Sequence, residues 1–352
     1  MIAEFHAKAL AEIAGAKLVA ATNRSPAKGR DFAAKHGIAF AETPEALLAH
    51  PEVDIVCLCT PSGDHLAPAL ACAKAGKHVV VEKPLEVTLA RCDELTAACA
   101  KAGVTVAGIL PRRFGAGAVA LKASLDAGRF GQLTLAGALI PWWRTQAYYD
   151  SAAWRGTFAL DGGGAVMNQG IHTVDLLLWF LGAPKRVSAT AGLVAHAGIE
   201  VEDIAAGWIE FANGCRATLA SSTACWSATG FPAEIRIHGT TGAAVLRDDK
   251  LTAFEFEKPL PTDAAILAPA TEGGGAGAND PKAIGHAWHR SNLEEAIAAI
   301  RAGKQPVVNG AEGRKAVELI LALYQSAQNG GAPVDLPLKQ DPVLRKLGSK
   351  RA

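Results

Sequence analysis

The run Val79-Val80-Val81-Glu82-Lys83-Pro84 sets an acid and a base where a strand gives out. Three β-branched residues suit a strand buried on both faces, and in an open α/β sheet ligands bind outside the carboxyl ends of the strands. Pro84 fixes its own backbone and pushes Lys83 toward an extended conformation, which aims the amine. The same residues also read as a solvated Glu-Lys pair, since charged side chains are mostly exposed. A second group follows the glycine run Asp161-Gly162-Gly163-Gly164. Asn168 and His172 are four apart, and His172 and Asp175 three apart, so on a helical stretch they share one face. Three glycines permit positive φ and a close backbone approach to a ligand. A capped helix start with one core histidine is the plainer reading of this stretch.

The elements that position these groups change character along the chain. Over the first hundred residues short apolar runs alternate with alanine-rich helical stretches. Strands are expected at Lys17–Ala21, Asp54–Cys59, Val79–Val81 and Thr105–Ile109, with helices at Pro26–His36, Pro44–Ala49, Leu66–Ala75 and Leu89–Ala102. That rhythm specifies a parallel sheet with right-handed crossovers. Gly37, Gly76 and Gly103 follow helical stretches, as helix-ending glycines do. Beyond Arg113 a helix over Ala118–Ala127 leads into strands at Leu133–Leu139, Val187–Leu193, Ile204–Phe211, Ala217–Ser222, Glu234–His238 and Ala244–Arg247, interrupted by a helix at Ile171–Leu181. Half their length alternates, as in a sheet with one covered face. Pro269–Pro281 reads as a mobile loop, and helices at Ser291–Ala302 and Gly313–Gln328 close the chain. The fold class expected is α/β: a Rossmann-like doubly wound parallel sheet over residues 1–110, an α+β domain with an open, mostly antiparallel sheet over 111–335, and a tail over 336–352.

Composition removes several classes. Of 352 residues, 35 are basic and 34 acidic, so no electrostatic case exists for a nucleic-acid partner. No run is long enough for a membrane-spanning helix, and no secretory start is present. Seven cysteines, an odd number in apolar surroundings, read as reduced thiols of a cytoplasmic protein. Cys57-Leu58-Cys59 has no matching cluster, and His286-Ala287-Trp288-His289 reads as a solvent-facing pair at a helix start, so no metal site is expected.

Together, Glu82-Lys83-Pro84, the loop Thr60-Pro61-Ser62-Gly63-Asp64-His65, the glycine-rich Asn168–His172 segment, Phe130-Gly131, Gln305-Pro306-Val307-Val308 and Gly310-Ala311-Glu312-Gly313 resemble the Gfo/Idh/MocA family over essentially the whole chain. The resemblance implies an NAD(P)-binding domain and a substrate domain whose sheet mediates homo-oligomerisation as a dimer or tetramer. It implies hydride exchange between nicotinamide and an alcohol carbon of a sugar, cyclitol or nucleotide sugar, with Lys83 and His172 as proton carriers. Ala3, Asn23, Arg24, Ser25, Thr60, Pro61, His65, Glu82 and Lys83 are then the candidate cofactor residues. Arg113, Trp154, Arg155, Asn168 and His172 are the candidate substrate residues.

Two departures qualify that picture. Many members carry an aspartate where this chain has Asn168; an amide orients a hydroxyl but takes up no proton, which shifts the acid–base burden to Lys83 and His172. The chain also opens on a helix, Ile2–Ala14, without the strand and first two glycines of the dinucleotide fingerprint, with Ala3 at its last small position. Truncation upstream is the expectation. The alternative is an impaired member that serves as a ligand-binding or regulatory protein. At Thr22-Asn23-Arg24-Ser25, where NAD enzymes place an acid, Asn23 can bond a hydroxyl while Arg24 and Ser25 can accommodate a 2′-phosphate, a slight lean toward NADP within a cofactor assignment of NAD or NADP. The aromatic and basic stretch Trp142–Gly156 either stacks on a sugar ring and clamps its carboxylate or phosphate, or forms an aromatic inter-domain interface.

Overall fold

Helix α2 (Pro26–His36) begins with a proline in its first turn and ends on Gly37 at φ 64°, whose amide returns to Ala33 and Ala34. Both ends are thus written in the sequence. The computed structural model describes residues 2–267 and 285–349. The expected loop at Pro269–Pro281 lies outside the described residues.

The chain divides into two units, and neither is a single stretch. The first comprises Met1–Glu86, Arg91–Ile109 and His286–Arg314; the second comprises Val87–Ala90, Leu110–Gly285 and Lys315–Ala352. The division falls next to the expected residue 110, but the two domains are not single stretches as expected: residues 286–314 group with the first unit and residues 87–90 with the second. Helix α10 (Ala287–Arg301) packs on α1 (Ile2–Ala11). Glu12 receives His286 at 2.7 Å and Arg290 at 3.0 Å, and Arg301 donates to the Gly15 carbonyl. These long-range ties bring residues 286–314 back to the first unit.

Parallel strands build the first unit, but in two sheets rather than one. β1 (Ala20–Ala21) pairs with β2 (Ala39–Phe40), and β3 (Ile55–Leu58), β4 (His78–Val81) and β5 (Val106–Gly108) form a second sheet. Among the described residues no ladder joins them. The strand expected at Lys17–Ala21 shrinks to two residues, and the helix expected to Ala14 ends at Ala11. Helices α4 (Leu66–Lys74) and α5 (Leu89–Lys101) are close to expectation. Val79, Val80 and Val81 are fully buried, as their β-branching suggested.

An eight-stranded sheet dominates the second unit. Its strands are β6 (Leu133–Pro141), β7 (Pro184–Gly192), β8 (Ile204–Phe211), β9 (Arg216–Ser222), β10 (Glu234–Gly239), β11 (Gly242–Arg247), β12 (Lys250–Phe256) and β13 (Val334–Asp335). The order is β12-β11-β10-β6-β9-β8-β7-β13, and every pair is antiparallel except β6–β9. One face, with Ala138, Ile140, Ala205, Ile209, Ala217 and Leu219, is buried, with α6 (Ala116–Asp126) and α8 (Ile171–Leu181) among the helices on that side. Register places Leu135, Leu139, Ile204 and Trp208 together on the other face, all exposed. The expected C-terminal tail is tied down instead: Leu338 donates to Glu318, Leu347 to the Glu200 carbonyl, and Lys346 pairs with Glu200 at 2.6 Å.

Candidate active site

At the carboxyl end of β4, every residue from Val79 to Val87 is buried except Lys83, which is half-buried. The backbone that carries it is pinned from three sides. Glu82 donates its amide to Leu58 of β3 at 3.2 Å, and its Oε2 accepts the Lys83 amide at 3.1 Å. The His65 ring lies between the Thr60 carbonyl, 3.1 Å from Nε2, and the Pro84 and Leu85 carbonyls, 3.0 and 3.3 Å from Nδ1. Glu86 accepts the first amide of α4, at Leu66, and pairs with Arg91. The Lys83–Pro84 peptide is cis.

Behind the lysine lies a buried ion pair. His6 Nε2 is 2.7 Å from Glu82 Oε1, and His289 Nε2 is 3.9 Å from the same oxygen. Burial works against the charged His6 ring, but the Cys57 and Glu82 side chains beside it raise its pKa above the usual value. Burial likewise opposes the Glu82 charge, and the His6 contact outweighs it and holds the carboxyl below its ordinary range. For His289 burial prevails and lowers its pKa. His289 is therefore not the solvent-facing partner of His286 that its position suggested. No group of metal-binding side chains occurs among the described residues, and all seven cysteines are free thiols.

Accessibility sorts the expected cofactor residues. Asn23 and Arg24, after β1, and Thr60, after β3, are exposed at carboxyl ends of parallel strands, which fits a dinucleotide's polar groups. Asn23 Oδ1 accepts the Ser25 amide at 2.8 Å, and Arg24 pairs with Asp64 at 3.3 Å. Ala3 is half-buried in the first turn of α1 and Pro61 half-buried in its loop. The side chains of His65 and Glu82, by contrast, are buried and spent on protein atoms, so they shape the site rather than line it.

The second group stands on α8 and the residues before it, and its geometry departs from a plain helix. Ala165–Gly170 is π-helical and α8 follows directly. π-helical turns cluster at functional sites. Asn168 and His172 are half-buried there. The glycine run approaches protein atoms rather than leaving room for a ligand. A Cβ on Gly163 would lie 2.2 Å from Tyr324 Oη, and one on Gly164 would lie 1.9 Å from the Glu202 carbonyl oxygen. Glu202 Oε2 accepts the Gly164 amide at 3.0 Å; its Oε1 accepts Val166 at 2.8 Å and the Tyr324 hydroxyl at 2.8 Å. Burial pushes the Glu202 carboxyl up to about 7 against these three donors.

A polar network leads from Asn168 into the aromatic stretch. Asn168 donates to Asp161, which also accepts the Gly156 amide at 2.8 Å. Gln169 donates to the Tyr148 hydroxyl at 2.8 Å and accepts from Arg144 at 3.0 Å, while Arg155 donates to Tyr148 at 2.6 Å. The Arg155 guanidinium also stacks on Tyr148 and Trp154, 4.3 and 4.6 Å from the ring centroids. His196 faces two acceptors, Asp203 Oδ2 at 2.9 Å and the Arg144 carbonyl at 2.8 Å, so both ring nitrogens must carry protons. Burial opposes that charge, yet Asp203 and the carbonyl raise the ring's pKa. Arg113 is buried and grips Asp175 through Nε at 2.9 Å and Nη2 at 2.6 Å. Its guanidinium serves the interior, not an open substrate surface.

Glu202, Tyr324, Asp161 and His196 were not expected from sequence. No local signal marks Glu202: it stands in the acid-rich run Glu200-Val201-Glu202-Asp203, which reads as solvated until the partners of its carboxylate are known.

Parallel strands with accessible polar turns at their carboxyl ends suit a dinucleotide, and the half-buried lysine on one of them is placed for acid–base chemistry. Residues 1–108 match the family model described as an oxidoreductase family, NAD-binding Rossmann fold, and residues 118–245 match the GFO/IDH/MocA C-terminal domain. A WlbA dehydrogenase from Chromobactrium violaceum, solved in complex with NADH and UDP-GlcNAcA, is 30% identical with a TM-score of 0.84, covering 96% of this chain and 94% of that one. The 1,5-anhydro-D-fructose reductase of Ensifer adhaerens is 28% identical over 90% of this chain and 91% of its own length. Inositol 2-dehydrogenase of Rhizobium meliloti is 26% identical over 92% and 93%. The chain belongs to the Gfo/Idh/MocA family of oxidoreductases, and its first domain is an NAD-binding one. The family description and the NADH-bound WlbA relative point to NAD rather than to the NADP toward which Arg24 leans; Arg24 itself makes an exposed pair with Asp64 at 3.3 Å.

Proposed function

We propose that this protein is an NAD-dependent dehydrogenase that exchanges hydride with an alcohol carbon of a sugar, cyclitol or nucleotide sugar. Lys83 carries the reading: it is the one side chain of Val79–Val87 that leaves the core, on a backbone fixed by Glu82 and His65. When bound, the nicotinamide supplies the hydride acceptor or donor. Lys83 and His172 take and return the hydroxyl proton. Asn168, whose amide nitrogen donates to Asp161 and whose carbonyl oxygen accepts from Gln169 at 3.4 Å, orients that hydroxyl. Arg155, Tyr148 and Trp154 offer a charged, stacked surface suited to a sugar ring with an anionic substituent, which supports a nucleotide sugar such as the one bound to the WlbA relative.

The test is nicotinamide absorbance at 340 nm, following NAD reduction with UDP-GlcNAcA or an inositol and NADH oxidation with 1,5-anhydro-D-fructose. One of them should turn over, and Lys83→Ala should lower kcat by about 10²–10⁴-fold with the fold intact. Near-wild-type rates in that variant would remove Lys83 from the reaction. The exposed sheet face bearing Leu135, Leu139, Ile204 and Trp208 is the surface we assign to self-association. Leu135→Glu with Trp208→Glu should lower the sedimentation mass to that of one chain; an unchanged mass places the interface elsewhere.

A further inference from the structure

We propose that Glu202 and Tyr324 are positioning residues that hold the backbone bearing Asn168 and His172 in its π-helical turn. The idea rests on the reading above for what Asn168 and His172 do, and on geometry for everything else.

The first four amides of a helix have no partner within it. Here those amides belong to Gly164, Ala165, Val166 and Met167. Gly164 donates to Glu202 Oε2 at 3.0 Å, Ala165 to the Glu202 carbonyl at 3.1 Å, Val166 to Glu202 Oε1 at 2.8 Å, and Met167 to Tyr324 Oη at 3.3 Å. Two buried residues from distant parts of the chain therefore take all four donors, and Tyr324 is itself fixed by its bond to Glu202. Ser221 Oγ secures the carbonyl side by donating to Ala165 at 2.7 Å.

Steric fit argues the same way. A side chain at Gly163 would strike the tyrosine hydroxyl and one at Gly164 the Glu202 backbone, so the glycines exist for the clamp. At the Gly164 carbonyl the amides of Asn168, at 3.1 Å, and Gln169, at 3.4 Å, compete, which marks the switch between four- and five-residue spacing. Relaxing that turn to an α-helix would shift the register by one residue. Asn168 would then swing by roughly 100° about the helix axis relative to His172. Two groups that must address one hydroxyl cannot tolerate such a rotation.

The test uses full-length Glu202→Ala, Glu202→Gln and Tyr324→Phe. Amide exchange at residues 164–167 should accelerate by about 10–100-fold in Glu202→Ala and less in Tyr324→Phe, while β8 and β9 keep their protection. The ring resonances of His172 should shift in both. With whichever of the three substrates turns over, kcat should fall by about 10–100-fold in Glu202→Ala with KM within about twofold, and Glu202→Gln should recover part of the loss. Unchanged exchange at 164–167, or a loss of protection spread evenly over the second unit, overturns the proposal. Failure of the dehydrogenase reading is separate: no substrate turns over, yet the local exchange pattern and the His172 resonances still decide the clamp.

Discussion

Replacing Arg113 by methionine decides whether its guanidinium serves the fold or a substrate. Its side chain is 2% exposed and that of Asp175 is 1% exposed, and two hydrogen bonds of 2.9 and 2.6 Å join them. The guanidinium also lies 5.5 Å from the Trp179 ring centroid. Removing one member of such a pair strands the other charge in the interior, which costs about 3–5 kcal/mol. For a domain of this size each kcal/mol lowers Tm by about 2–4 °C, so Arg113→Met should melt roughly 6–20 °C lower. The double variant Arg113→Met, Asp175→Leu leaves no stranded charge and should regain most of the loss, because apolar replacements of buried pairs are often neutral. Calorimetry and urea titration of the wild type, both singles and the double close the cycle. A loss below about 1 kcal/mol in Arg113→Met, accompanied by a raised KM, would refute the argument and return Arg113 to the substrate surface.

Two pH dependences follow from the buried acids. Burial raises the Glu202 carboxyl from 4.5 to about 7, so between those values the folded chain holds a proton that the unfolded chain lacks. Stability should therefore fall as pH rises from 4.5 to 7, by roughly 3 kcal/mol, and Glu202→Gln should flatten the slope in urea titrations; an unaltered slope assigns it to another group. Glu82 and His6 behave oppositely. The carboxyl lies below its ordinary 4.5 and the ring above its ordinary 6.5, so their pair contributes fully between those values. Its share erodes as pH falls through the lowered carboxyl pKa or rises through the raised ring pKa. In Glu82→Gln the acid limb of this profile should disappear, and equal acid sensitivity in both proteins would argue against the pair.

Much of the architecture was legible because local signals and burial agreed. Pro26 and Gly37 bracket α2, and the apolar run after His172 gives α8 its bounds. Other features were set by distant partners. The strand β12 was missed because its hairpin turns through Asp248 at φ 51° and a register shift at Val245–Leu246 breaks the alternation. The π turn at Ala165–Gly170 owes its form to a carboxylate 36 residues later in the chain and a hydroxyl farther still, which no local spacing reports. Lys83, His172 and Asn168 stood out by residue type and context. The groups that hold their backbones did not, because a buried glutamate looks like any other until its partners are known.

The return of residues 286–314 to the first unit bears on how the protein is made. Asn309 bridges to Ala107, Gly108 donates to the Val308 carbonyl at 2.7 Å, and Asn292 donates to the Gly108 carbonyl at 3.3 Å. During synthesis at about 5–20 residues per second, the amino-terminal sheet waits some ten seconds or more after its last strand emerges before α10 arrives to cover it. Until then Ile13, Val80 and Ile109, which share a cluster with Leu293 and Ile297, lack part of their packing. A ribosome-bound chain stopped near residue 120 should thus hold an unfinished, protease-sensitive first domain, and any shuffling of cofactor domains between relatives must carry this third segment along.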